Sequence, residues 1–269
     1  MSPASRQHQA REWLLSSQGL GRPYVKLCGM SREEDIRAVA QARPDMCGFI
    51  VNFPQSHRSV STERLTELCK LLDEEDAKVA ACMATSGNPV SLHPIWRVGV
   101  FVDEPLDSLI RIVSAGAVDL VQLHGNESNA YISELRHRTR VGTIQAFRVS
   151  GSEDVSRAEG SSADMIMLDS GQGSGRVFDW GIVSSVHRPF ILAGGLTPET
   201  IGKALTEVDP WGVDMCSGIE TDKVKDPAKI AAAVDEVRRW RCDFARQRQP
   251  KDASGGERAS KSSLNAIPE

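Results

Sequence analysis

The chain has 269 residues, 40% apolar and 25% charged, a size and balance that suit one globular α/β unit with a substantial core. Its formal charge of −4 offers no electrostatic footprint for nucleic acid or a membrane surface, so neither is expected as a partner. No stretch is as apolar as a bilayer span requires, residues 1–9 lack the apolar segment of a secretory signal, and the six cysteines show neither a CxxC pair nor clustering with histidine, which points to reduced thiols in the cytoplasm and to no metal site.

A leader over residues 1–23 comes first, with one short amphipathic turn around Trp13-Leu14-Leu15. From Tyr24 onward, apolar runs at 24–28, 47–51, 97–102, 118–123, 143–149, 165–169, 190–193 and 212–216 read as strands. Most are apolar nearly throughout, the pattern of parallel strands buried on both faces. Helical patterns begin near Ser31, Thr62, Pro105, Ser128, Asp154, Asp179, Pro198 and Pro227. Ser31 and Glu34 have the spacing of a capping box, while Thr197-Pro198 and Asp226-Pro227 each set a cap residue before a proline in the first turn.

Eight strand–helix alternations predict a single (β/α)₈ barrel over residues 24–245, with an open doubly wound sheet as the alternative. No GxGxxG follows the first strand, which weighs against the dinucleotide-binding form of that alternative. Residues 73–96 exceed what a helix-to-strand connection needs and contain the turn-like Thr85-Ser86-Gly87-Asn88-Pro89, so an extended connection is expected there. Residues 246–269, rich in Ser, Gly, Lys and Pro, read as a disordered tail.

Barrel chemistry sits at the C-terminal ends of the strands and in the loops that follow. Cys28 ends the first strand before Gly29; it is either a small buried residue or, beside a helix start, a thiol of lowered pKa that acts as a base. Asp169 ends the sixth strand, where partial desolvation equips a carboxyl group as a general acid; capping of the next turn is the alternative. The loop Gly171-Gln172-Gly173-Ser174-Gly175 behind it can fold over a substrate or merely connect. Gly194-Gly195 and Ser217-Gly218 follow the seventh and eighth strands, the two loops in which barrels often cradle phosphate against backbone N–H groups. Arg58, after the second strand, suits a substrate carboxylate, and His124, after the fourth, either contacts ligand or satisfies a buried network, the structural role being favoured.

Together these motifs resemble the phosphoribosylanthranilate isomerase family. Val25-Lys26-Leu27-Cys28-Gly29-Met30 is similar to its opening segment, and Val98-Gly99-Val100-Phe101-Val102 and Val121-Gln122-Leu123-His124-Gly125-Asn126-Glu127 to its third and fourth strands. Leu168-Asp169 through Phe178-Asp179-Trp180, Leu192-Ala193-Gly194-Gly195-Leu196, and Asp214 through Ser217-Gly218-Ile219-Glu220 complete the set in order. The resemblance implies Cys28 as general base, Asp169 as general acid, Arg58 on the anthranilate carboxylate, and Gly194, Gly195, Ser217 and Gly218 around the phosphate. It implies a phosphorylated aminosugar as substrate, an Amadori rearrangement without metal or cofactor, and a cytoplasmic monomer or homodimer. His57, Ser59 and Gln172 depart from the family pattern. Another phosphosugar isomerase or epimerase barrel, or a non-catalytic paralogue that keeps the phosphate site, are the competing readings.

Overall fold

The computed structural model describes residues 1–16, 23–85, 93–169, 180–183 and 185–247. Eight parallel strands form a closed ring: β1 Tyr24–Cys28, β2 Met46–Val51, β3 Trp96–Phe101, β4 Leu120–Leu123, β5 Gly142–Arg148, β6 Met165–Asp169, β7 Phe190–Ala193 and β8 Gly212–Met215. Each pairs with its neighbour in sequence, and β1 pairs with both β2 and β8, which closes the barrel and removes the open-sheet alternative. The strands are buried almost without interruption, as their unalternating apolar sequences require.

The barrel helices are α1 Glu33–Ala42, α2 Thr62–Thr85, α3 Leu106–Ser114, α4 Asn129–Thr139, α5 Ser152–Glu159, α6 Trp180–Val183, α7 Pro198–Val208 and α8 Pro227–Gln247. Caps fix several starts. Asp226 accepts the N–H groups of Ala228 and Lys229, and Thr197 opens α7 with Pro198 in its first turn. At α1 the cap differs from the expected Ser31–Glu34 box. Asp35 instead turns back to accept the N–H groups of Ser31 and Arg32, because the helix begins two residues later than Ser31.

Two expectations about the added segments change. Most of 73–96 is helix: α2 runs unbroken for 24 residues, since no glycine or proline intervenes before Gly87 and the sequence is rich in good helix formers. Ion pairs then tie that extra length to the barrel, Asp76 to Arg43 and Asp73 to both Arg6 and Arg97. The turn at 86–89 lies outside the described residues, as do the glycine loop 171–175 with Gln172, Phe178, Asp179 and the tail from 248 onward.

The leader is likewise more than a single turn. It forms a 14-residue helix, Pro3–Ser16, whose buried Gln7, Ala10 and Leu14 recur at helical spacing on one face. This face covers the N-terminal end of the barrel. Gln7 donates to the carbonyls of Val113 and Val118, Arg6 grips Asp119 just before β4, and Arg11 grips Asp164 just before β6. Ala10 and Leu14 join Trp96, Trp211, Met46, Leu120, Ile144 and Met165 in the apolar interior of the barrel. A second apolar layer lies between the strands and the surrounding helices. With the lower end covered, the open end is the one formed by the strands' C-termini.

Candidate active site

At that open end lies a cavity of about 210 Å³ to which every strand contributes a residue: Cys28, Ile50, Val100, Gln122, Arg148, Asp169, Ala193 and Asp214, with His124, Gly194, Gly195, Cys216 and Ser217 from the loops above. Cys28 and Asp169 therefore face one space, as barrel closure demands of residues that end different strands. A second hollow of about 430 Å³ adjoins it over β4 and β5 and shares His124 and Arg148.

The floor beneath Cys28 is ionic. Lys26, two residues back and on the same face of β1, donates to Asp214 of β8 at 2.8 Å. Burial alone would lower the lysine's pKa, but Asp214 and Cys28 together outweigh burial and keep the ammonium charged. Gly48 makes room for both groups: a side-chain carbon there would lie 2.9 Å from Cys28 Sγ and 3.0 Å from Lys26 Nζ.

Cys28 is buried, as the first of its two sequence readings has it. Its pKa is pushed well up rather than lowered, first by a hydrogen bond to Cys216 and then by burial, with Lys26 opposing. The low-pKa thiol is Cys216, brought down to about 7, first by that same hydrogen bond and, against burial, by the cations of Lys225 and Arg58. Lys225 Nζ is 3.7 Å from Cys216 Sγ and donates to the Cys216 carbonyl at 2.8 Å. A small antiparallel hairpin, Glu220–Thr221 with Val224–Lys225, carries this lysine back over the mouth.

Arg58 sits at the edge of this group. The short strand Ser59–Val60 pairs with the end of β2 and holds the loop in place. Its guanidinium is clamped by Glu220 through two contacts of 2.6 Å, and Glu220 also pairs with Lys225 at 2.7 Å. These two cations hold the Glu220 carboxyl down to about 2 despite burial. Arg58 thus neighbours Cys216 but is not among the residues that line the cavity.

On the opposite wall, His124 Nε2 is 3.7 Å from Asp169 Oδ2, and Gln122 Nε2 contacts His124 Nδ1 at 3.3 Å. Burial pushes the His124 pKa down against the pull of Asp169, which favours a neutral ring. His124 faces the cavity, a position that fits the ligand contact read from sequence beside the structural role. Gln122 Oε1 is buried with no hydrogen-bond partner among the described residues.

Gly194 and Gly195 take positive φ angles of 97° and 62°, which a side chain would strain, and they line the cavity with Ser217. Gly218 has a different task. A side-chain carbon there would fall 1.9 Å from the Leu196 carbonyl oxygen, so its lack of a side chain lets the loops after β7 and β8 touch.

Sequence reading missed Lys26, Asp214, Cys216, Arg148 and the Glu220–Lys225 pair. Two signals were present. Lys26 and Asp214 are charges inside otherwise apolar strands, and Cys216 and Arg148 satisfy the same strand-end rule that selected Cys28 and Asp169.

Comparison with known proteins agrees with this architecture. Residues 25–236 match the family described as N-(5'phosphoribosyl)anthranilate (PRA) isomerase. The N-(5'-phosphoribosyl)anthranilate isomerase of Acetivibrio thermocellus is 36% identical over 228 residues, covering 80% of this chain and 95% of the relative. That of Endomicrobium trichonymphae is 34% identical over 221 residues, covering 80% and 98%. The phosphoribosyl anthranilate isomerase structure from Thermotoga maritima superposes with a TM-score of 0.66 at 29% identity, covering 81% of this chain and 99% of the other. A further solved phosphoribosyl anthranilate isomerase, in complex with reduced 1-(o-carboxyphenylamino)-1-deoxyribulose 5-phosphate, superposes with a TM-score of 0.65 at 28% identity over 81% and 99%. A closed eight-stranded barrel, the strand-end residues in their expected order and these matches over most of its length place the chain in the N-(5'-phosphoribosyl)anthranilate isomerase family.

Proposed function

We propose that the family's reaction, the Amadori rearrangement of N-(5-phosphoribosyl)anthranilate to 1-(o-carboxyphenylamino)-1-deoxyribulose 5-phosphate in tryptophan biosynthesis, runs in this chain on Asp169 and the Cys28–Cys216 pair. Asp169 protonates the ribose ring oxygen, which opens the ring to an iminium. Removal of the C2 proton then gives an enolamine that tautomerises to the ketone. The positively charged iminium nitrogen is the electron sink.

The base in this scheme is Cys28, and Cys216 supplies its readiness. The hydrogen bond between the two thiols lets one proton serve both sulfurs, and Lys225 and Arg58 favour the pair's single negative charge. Moving the shared proton from Cys28 to Cys216 leaves a thiolate on Cys28, above the Lys26 ammonium. The cavity that both Cys28 and Asp169 line is the observation that carries this assignment.

In this reading the phosphate lies against Gly194, Gly195 and Ser217, with Gly218 holding the two loops together. Arg58 takes the anthranilate carboxylate, for which it must share its guanidinium between the substrate and Glu220. Gripping the substrate at both ends supplies the orientation term. We place the enzyme in the cytoplasm, as a monomer or homodimer that needs no nucleic-acid or membrane partner. No helix among the described residues is long and apolar enough to cross a membrane.

The test is rescue of a tryptophan auxotroph that lacks this isomerase alone, together with turnover of N-(5-phosphoribosyl)anthranilate by the purified chain. Growth and product formation are expected; a folded chain with neither would remove the proposal.

A further inference from the structure

We propose that Cys28 and Cys216 form an oxidisable dithiol, a modification site at which a hydroperoxide joins the two sulfurs in a reversible disulfide. The argument starts from register. β1 and β8 pair in parallel with Lys26 opposite Asp214 and Leu27 opposite Met215, and Cys28 and Cys216 are the residues that directly follow this last pair. The Lys26–Asp214 contact of 2.8 Å shows that side chains from this set of positions meet inside the barrel, and Cys28 and Cys216 both line the cavity above it. Neighbouring strands lie about 4.8 Å apart. That spacing falls within the Cα separation of roughly 4.4–6.8 Å that a disulfide spans.

The surroundings suit the chemistry. Cys216 is half-buried and lines a cavity open at the barrel mouth, so a small oxidant reaches it. Charged groups lie below and beside the pair: Lys26 and Asp214 below, Lys225 and Arg58 beside Cys216, and Glu220 holding both of those cations. Cation-rich, partly accessible surroundings are those in which a thiolate reacts. The remaining cysteines stand apart from this arrangement. Burial pushes the Cys47 thiol well up and Cys69 up to about 12, and Cys82 and Cys242 are exposed on the outer helices.

The step balances with hydrogen peroxide as the oxidant. The Cys216 thiolate attacks one peroxide oxygen, the O–O bond breaks, and hydroxide leaves and takes a proton, giving a sulfenic acid on Cys216 and one water. Cys28 then gives up its proton and attacks that sulfur; the S–O bond breaks, the S–S bond forms and a second water leaves. Two thiols lose two electrons and the peroxide gains them. A dithiol reductant reverses the bond.

The experiment uses the full chain as Cys82→Ser/Cys242→Ser, treated with hydrogen peroxide, with the wild-type chain mapped alongside. Two free thiols are expected to disappear, a peptide containing Cys28 to be joined to one containing Cys216, and dithiothreitol to restore both. Adding Cys216→Ser is expected to slow the loss of the Cys28 thiol at least about tenfold. Peroxide-treated protein that keeps both thiols, carries a sulfenic or sulfinic group on one of them without a linkage, or joins either to a different cysteine would overturn the proposal. The readout is covalent, so it stands or falls separately from the assignment of Cys28 as the base.

Discussion

Lys26 Nζ and Asp214 Oδ1 lie 2.8 Å apart in the barrel interior, directly below the Cys28–Cys216 pair, although 188 residues of chain separate them. A buried ion pair is weak evidence for stability, yet breaking one strands an uncompensated charge. Lys26→Met is therefore expected to destabilise the barrel by about 3–5 kcal/mol by leaving Asp214 alone in the core. Lys26→Met/Asp214→Leu should recover much of that loss in urea denaturation while turnover stays low, since the charge under Cys28 is gone. If the double variant is no more stable than the single, the pair is not the origin of the effect.

Asp169→Asn keeps the size of the side chain and removes its capacity to pass a proton. A positioned acid typically contributes about 10²–10⁴ in rate, and a loss of that order is expected with an unchanged circular dichroism spectrum. Cys28→Ala should lose a similar factor. Near-normal turnover in either variant would move that role to another residue lining the cavity.

The thiol pair predicts a pH dependence with a definite sign. Cys216 titrates at about 7 because the Cys28 hydrogen bond, Lys225 and Arg58 favour its thiolate. Above that pH the pair holds one proton and Cys28 can be freed; below it the pair holds two and no base remains. kcat/KM of the free enzyme should therefore fall as pH drops through about 7. Cys216→Ser should move that limb to higher pH, because the low-pKa thiol is gone and burial still holds the Cys28 thiol up. An unmoved limb would assign the titration to some other group.

Gly218→Ala places a carbon 1.9 Å from the Leu196 carbonyl oxygen, so the loops after β7 and β8 must separate. In the proposed phosphate site this widens the cradle around Gly194, Gly195 and Ser217. KM for the phosphorylated substrate is expected to rise more than kcat falls. An unchanged KM would mean that the phosphate binds elsewhere.

The N-terminal helix makes a stability prediction independent of catalysis. Leu14 is 2% exposed within the apolar cluster at the lower end of the barrel. Leu14→Ala should cost about 2–5 kcal/mol by opening a cavity there. Removal of residues 1–16 should lower Tm further and red-shift tryptophan emission, because Trp96 and Trp211 pack beneath this helix. Unchanged emission would show that the tryptophans stay covered without it.

Local chemistry made the barrel legible in the sequence. A strand buried on both faces must be apolar throughout, helix starts require capping residues, and eight such units in alternation leave few ways to close. The strand-end rule then selected Cys28 and Asp169, and the structure brings both to one cavity. What the tertiary structure alone decided are relationships across distant segments: Cys28 with Cys216, Lys26 with Asp214, and Arg58 locked onto Glu220 instead of standing open. Each partner comes from the other side of the β1–β8 closure or from the hairpin folded over it, where local propensity carries no information about who meets whom. The leader shows the same division. Its residues encode a helix with an ordinary polar surface, and the apolar lower end of the barrel is what makes Ala10 and Leu14 a buried face.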